Sequence, residues 1–170
     1  LKIFFSHSDS VTDVSFAPDG QILASSCYDG TINFWNIQTG KCIKTFIAHS
    51  AAVQSVIFSP SNEVLASCSS DKTVKLWNIQ NNDCLKVLTG HESTVRSIAY
   101  SPDGEIIASC SSDKTIRLWN VNNGECLKIF KAHEDVVSSV VFSPDSKILA
   151  SSSNDESIRL WDIKSGECLE

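Results

Sequence analysis

Three residue types able to do nucleophilic or acid–base chemistry recur together along this chain of 170 residues. The only four histidines are His7, His49, His91 and His133, each 42 residues from the next. Asp29, Asp71, Asp113 and Asp155 keep the same step, with serines between each such His and Asp. A hydrolytic triad uses these three types, but it needs one activated hydroxyl beside an oxyanion hole in a single cleft. Here the trio comes four times, each time with a tryptophan: Trp35, Trp77, Trp119 and Trp161. Four copies of one arrangement describe a scaffold, so no catalytic residue is expected and the chain does not read as an enzyme. A metal site is not expected either, because the histidines fall in different repeats and no Cys-x-x-Cys or His-x-x-x-His spacing occurs. No glycine-rich phosphate loop or dinucleotide fingerprint is present, and no cofactor is expected.

The elements that position these residues follow from the period. The four prolines, Pro18, Pro60, Pro102 and Pro144, keep the 42-residue step, and His49–Gly90 shares 21 of 42 residues with His91–Ala132 without a gap. Four such units fill all but two of the 170 residues, so residues 1–170 read as a single domain with no room for a linker. The repeats run over about 7–48, 49–90, 91–132 and 133–170. In the third unit, Thr94–Tyr100 alternates as a half-buried strand does, and Ser101-Pro102-Asp103-Gly104 supplies a turn. Ile106–Cys110, Thr115–Asn120 and Glu125–Phe130 complete four strands, joined by turns at Ser112-Asp113-Lys114 and Asn122-Asn123-Gly124. No segment has a helical period. The fold class is all-β, and a period near 42 with four strands per unit specifies antiparallel propeller blades.

Over its whole length the chain resembles the WD40-repeat family, whose hallmarks are a Gly-His pair early in the repeat and a Trp-Asp pair late. Gly90-His91 and Trp161-Asp162 match both letters; elsewhere the pairs are Ser6-His7, Ala48-His49 and Ala132-His133, with Trp35-Asn36, Trp77-Asn78 and Trp119-Asn120. The resemblance implies one hydrogen-bonded structural tetrad per blade. These are His7, Ser25, Asp29 and Trp35; His49, Ser67, Asp71 and Trp77; His91, Ser109, Asp113 and Trp119; and His133, Ser151, Asp155 and Trp161. A buried indole N–H needs an acceptor that Ser or His can supply, and Asp can accept from His. Ser69, Ser111 and Ser153 compete for the serine place, but Cys27 interrupts that second set in the first repeat.

The apolar positions serve a core, and 42% apolar content is enough to fill one. Val11, Val53, Val95 and Val137 form one set of equivalents, and Phe16, Phe58, Tyr100 and Phe142 another. A blade is covered on both faces by its neighbours, which explains runs such as Ile22-Leu23-Ala24. Lys75, Arg117 and Arg159, beside apolar positions of the third strand, are expected to snorkel to water. Four of the seven cysteines, Cys42, Cys84, Cys126 and Cys168, recur at the period and so lie too far apart for disulfides. All seven are read as reduced thiols and the compartment as intracellular, cytoplasmic. No apolar stretch approaches the roughly 20 residues that span a bilayer, and the opening Leu1–Phe5 segment does not read as a signal peptide. A net charge of −6 without basic clusters argues against nucleic acid or a membrane surface as partner.

Repeats can be compared with one another, and positions that differ where the framework does not are candidates for binding. Five residues after each His stand Thr12, Gln54, Arg96 and Ser138; immediately before each turn Asp stand Tyr28, Ser70, Ser112 and Asn154. The resemblance places both sets on the broad top face, suited to a protein or peptide partner. The expected function is a non-catalytic protein-interaction scaffold; the alternative is an assembly module that completes a propeller ring without a ligand of its own. The resemblance implies rings of seven or eight blades, about 51° or 45° apart, of which four sweep only about 180–206°. The chain is therefore expected to be an open half-ring, or half of an eight-bladed homodimer, or part of a longer array. Leu1-Lys2-Ile3-Phe4-Phe5 matches Leu127-Lys128-Ile129-Phe130 and reads as the outer strand of a preceding or partner blade, within residues 1–6.

Overall fold

The computed structural model describes residues 3–131 and 133–169, and every named element in it is a strand. The first blade holds β1 (Val11–Phe16), β2 (Ile22–Cys27), β3 (Thr31–Asn36) and β4 (Cys42–Ile47). The second holds β5 (Val53–Phe58), β6 (Val64–Ser69), β7 (Val74–Asn78) and β8 (Cys84–Leu88). The third holds β9 (Val95–Tyr100), β10 (Ile106–Ser111), β11 (Thr115–Asn120) and β12 (Cys126–Lys131). The fourth holds β13 (Val137–Phe142), β14 (Ile148–Ser153) and β15 (Ile158–Asp162). Each blade is one antiparallel meander in chain order.

One expectation needs correction. The fourth sheet has three strands rather than four, and only an isolated bridge between Trp161 and Cys168 marks the outer edge where a fourth would lie. Residues 3–10 form no strand in the single chain, which holds no preceding or partner blade for them to pair with; Leu1 and Lys2 lie outside the described residues. The remaining elements fall within a residue of their expected bounds in the third blade.

Turn chemistry explains the short meanders. The β1–β2 turn and its equivalents place Gly20, Asn62, Gly104 and Ser146 at positive φ. The β2–β3 turn and its equivalents do so with Gly30, Lys72, Lys114 and Glu156. A left-handed backbone costs ~1–2 kcal/mol per non-glycine residue, because Cβ crowds the following carbonyl oxygen.

Blades stack face to face. Ile32 and Phe34 of the first blade pack into Val53, Val56, Phe58, Leu65 and Trp77 of the second. The same arrangement joins the second blade to the third through Val74 and Leu76, and the third to the fourth through Ile116 and Leu118. The two end faces are uncovered. Val14 is 56% exposed where its equivalent Val56 is 2% exposed, and Ile158 is 73% exposed where Ile116 is fully buried.

Candidate functional site

In all four blades the tryptophan indole donates to the serine of the second strand: Trp35 to Ser25 at 2.7 Å, Trp77 to Ser67 at 2.8 Å, Trp119 to Ser109 at 2.8 Å and Trp161 to Ser151 at 2.9 Å. Having accepted from indole, each serine hydroxyl has its own hydrogen for histidine Nε2. The Oγ–Nε2 distances are 2.6 Å to His7, 2.7 Å to His49, and 2.8 Å to both His91 and His133. The Nδ1–H of His49, His91 and His133 then faces Asp71, Asp113 and Asp155 at 2.9, 2.8 and 2.8 Å. Every donor points toward the carboxylate.

Burial pushes the His49 imidazole below its ordinary value, and Asp71 pulls the other way without winning. Burial also opposes the Asp71 charge, yet hydrogen bonds from Thr73 and His49 outweigh it and hold the carboxyl low. Asp113 is held low in the same way, by His91 and Thr115 against burial. The His49–Asp71 contact is thus a hydrogen bond from a neutral imidazole to a carboxylate, not an ion pair. A fifth member was not singled out from sequence: Thr31, Thr73, Thr115 and Ser157 each donate a hydroxyl to the Asp two residues earlier, at 2.6 Å. Its signal was present, since a Thr or Ser stands at that offset in every repeat.

This network leaves no nucleophile. Ser67, Ser109 and Ser151 are buried, and their hydroxyls are held between indole and imidazole. Lys75 and Arg117 do not snorkel as expected. Lys75 turns over the Trp77 ring and donates to the Ala48 carbonyl at 2.9 Å, and Arg117 lies over Trp119. An aromatic face and a carbonyl offer the cation more than a solvated edge does.

The variable positions sit together at one end of the blades. Each first strand opens with a β-bulge, and the bulged residues are Thr12, Gln54, Arg96 and Ser138: the ladder register skips them in every blade. A bulge removes a residue from the ladder and re-aims its side chain. Gln54 reaches Ser70 at 3.0 Å, the Arg96 Nε donates to Ser112 at 2.8 Å, and Ser138 donates to Asn154 at 3.0 Å. Thr12 and Tyr28 are not brought together. Thr12 bonds Ser26 and the Val53 carbonyl instead, and Tyr28 is exposed. Arg96 and Ser138 are exposed, so their remaining polar groups face solvent at that end.

Blades of this meander with this network define a WD repeat, and the chain belongs to the WD40 family: the model of the WD domain, G-beta repeat, matches residues 1–36, 40–78, 82–120 and 124–162. WD repeats in general mediate protein–protein interaction, and the family is generally non-catalytic. Among curated proteins, human WD repeat-containing protein 18 is 39% identical over 44 residues, covering 26% of this chain and 10% of that protein. The Ribosome biogenesis protein BOP1 of Rattus norvegicus is 44% identical over 43 residues, covering 25% of this chain and 6% of that protein. The Eukaryotic translation initiation factor 3 subunit I of Aspergillus niger is 39% identical over 44 residues, covering 26% and 13%. Each likeness is about one repeat long, so the chain matches only a small part of each relative. Among the described residues no helix is long and apolar enough to cross a membrane.

Proposed function

We propose that this chain is a non-catalytic interaction scaffold that binds a protein or peptide through the loop-lined end of its blades. The observation that carries this reading is the bulge at the start of every first strand. It lifts Gln54, Arg96 and Ser138 out of the ladder and pairs them with Ser70, Ser112 and Asn154. Gln54, Arg96 and Ser138 differ between blades, whereas the tetrad residues beneath them are constant. Rigid sheets presenting variable polar positions suit recognition. With its Nε held by Ser112, Arg96 offers its terminal guanidinium nitrogens to an acidic or phosphorylated side chain. An intracellular site of action fits the free thiols of all seven cysteines and the ribosome-biogenesis and translation-initiation names of the relatives. Fluorescence anisotropy against acidic and phosphorylated peptides tests the reading. Arg96→Ala is expected to weaken binding by roughly 1.5–3 kcal/mol, while Lys147→Ala at the opposite end leaves it unchanged. Equal losses from both would reduce the effect to unspecific charge attraction.

A second reading, assembly, is favoured by the uncovered end faces. Each interior junction seats an Ile32-type face on a Val56-type face, and the chain carries one unused copy of each, around Ile158 and around Val14. A second copy of the chain supplies the complement of both, giving an eight-bladed ring. Heterologous contacts of this kind form closed rings when the rotation closes.

A further inference from the structure

The first blade departs from the other three at the point where histidine meets aspartate. His49, His91 and His133 bond their Asp through Nδ1 at 2.8–2.9 Å. His7 does not. Its Nδ1 has only the Thr31 hydroxyl at 3.4 Å, and Asp29 Oδ2 accepts from Ser8 at 2.5 Å instead. Two residues before the Asp, the other blades carry Ser69, Ser111 and Ser153, whose hydroxyls accept the Asp backbone N–H in the next turn. The first blade has Cys27 there, buried, with backbone groups of Asp29 and Asp9 against its sulfur. One ligand atom each from His7, Cys27 and Asp29 lies within 4.8 Å of the other two.

We propose that His7, Cys27 and Asp29 form a binding site for a thiophilic divalent cation of the zinc type. Metal–sulfur and metal–nitrogen bonds of about 2.3 and 2.0–2.1 Å set tetrahedral ligands roughly 3.3–3.8 Å apart, so closure takes movements on the order of an ångström. On binding, the Cys27 S–H bond breaks, the sulfur–metal bond forms, and the proton leaves to solvent. Water or the Ser8 hydroxyl takes the fourth position.

A second departure in the same blade supports this assignment. With metal on Nδ1, His7 carries its proton on Nε2 and donates it to Ser25, as metal-bound imidazoles donate to an outer partner. Ser25 then accepts from both His7 and Trp35, and its own hydrogen needs an acceptor. Cross-strand from Ser25 on the same face stands Asn33, fully buried, with neither amide atom hydrogen-bonded. The other blades have Lys75, Arg117 and Arg159 at this place, which offer no acceptor and, at Lys75, act on the neighbouring histidine as a cation. Asn33 supplies the acceptor and removes the positive charge. Spacing within the sequence hides the set, because Cys27-x-Asp29 is not a recognised ligand pattern and His7 lies 20 residues away.

Cobalt(II) titration of the reduced 170-residue chain tests the site. One equivalent is expected to give a sulfur-to-cobalt charge-transfer band with tetrahedral visible bands, displaced by zinc(II). Cys27→Ser, which installs the residue of the other three blades, is expected to abolish the band without altering the urea midpoint. Replacing Cys42, Cys84, Cys126 and Cys168 together by Ser is expected to leave it. The proposal is overturned by absence of the band, by its survival in Cys27→Ser, or by its loss when Cys42, Cys84, Cys126 and Cys168 are replaced.

Discussion

The ring of Phe4 lies 5.2 Å from that of Trp35, the separation at which Phe46 meets Trp77 and Phe130 meets Trp161. Phe46 and Phe130 belong to outer strands of a preceding blade, whereas Phe4 belongs to a segment with no strand pairing. The aromatic contact therefore holds the segment in an outer-strand position without a ladder. Phe4→Ala is expected to lower stability by about 1–3 kcal/mol, below the core value because the ring is half-buried. Phe5, 86% exposed, is the control, and Phe5→Ala should stay within about 0.5 kcal/mol by urea melts.

Removing the serine of a tetrad strands two partners at once. Ser109→Ala leaves the Trp119 indole N–H and His91 Nε2 without their shared hydroxyl in a buried place. An unmatched buried polar group costs about 1–3 kcal/mol, so a loss of about 2–4 kcal/mol is expected. Trp119→Phe removes the donor instead of the acceptor and should cost less per hydrogen bond lost, though it also loses ring area. A urea midpoint unmoved by Ser109→Ala would mean that the network carries no stability.

The neutral His49 gives stability a pH dependence. An unfolded His49 takes up a proton near its ordinary 6.5, while the folded imidazole resists to lower pH. Between those values the unfolded state binds more protons, so the contribution is full above about 6.5 and is lost as pH falls through the window. Asp71, held below its ordinary 3.8, adds a second loss once the pH drops under that value. Urea midpoints should therefore decline from neutral toward pH 5, and His49→Gln should flatten the decline. A decline of equal slope in His49→Gln would assign it to other groups.

Much of this was legible because a 42-residue period reports which positions fold every blade. The strands followed from alternation and turn residues, and the tryptophan hydrogen bonds fall on Ser109 rather than Ser111, the series that Cys27 does not interrupt. Three things were not legible. A bulge at Arg96 is a matter of ladder register, which alternation alone does not encode. The fate of Lys75 and Arg117 depends on side-chain conformation: each bends over the tryptophan two residues along its own strand, and Lys75 also reaches the distant Ala48 carbonyl, where alternation gives only the face. The broken histidine–aspartate link of the first blade depends on how Ser8 competes for Asp29, since every residue of the tetrad is present in the sequence.

Gly30 is the one β2–β3-type turn position that cannot accept the side chain its equivalents carry. Lys72, Lys114 and Glu156 hold positive φ there, but a Cβ on Gly30 would meet the His49 carbonyl oxygen at 2.6 Å. That oxygen belongs to backbone whose own N–H, with that of Ala48, is bonded to the Gly30 carbonyl, so it cannot move aside. Gly30→Ala is expected to cost about 2–4 kcal/mol, a strained φ plus an overpacked contact. Gly20→Ala, also at positive φ but with open space around it, should cost only about 1–2 kcal/mol. Equal costs would show that the His49 backbone yields.

The end faces permit a test of assembly that also fixes its direction. If two copies join as interior blades do, the Ile158 face of each seats on the Val14 face of the other, and the chain sediments at twice 18.6 kDa. Both residues are solvent-exposed in the single chain, so Val14→Asp and Ile158→Asp should leave each copy folded. Each variant alone keeps one working face with nothing to receive it, because the partner's matching face is spoiled in every copy, and is expected to be monomeric. Mixed in equal amounts, the two variants recover one intact junction, the Ile158 face of one on the Val14 face of the other. The mixture is therefore expected to regain the doubled mass, with an open ring and weaker association than wild type. Dimers in either variant alone would mean that like faces pair. Mass that climbs without limit as wild-type concentration rises would mean that four blades do not sweep half a circle, and that further blades of a longer chain cover the ends. A wild-type monomer at tens of micromolar would exclude self-association through these faces, since exposed apolar patches of this kind are what association removes from water.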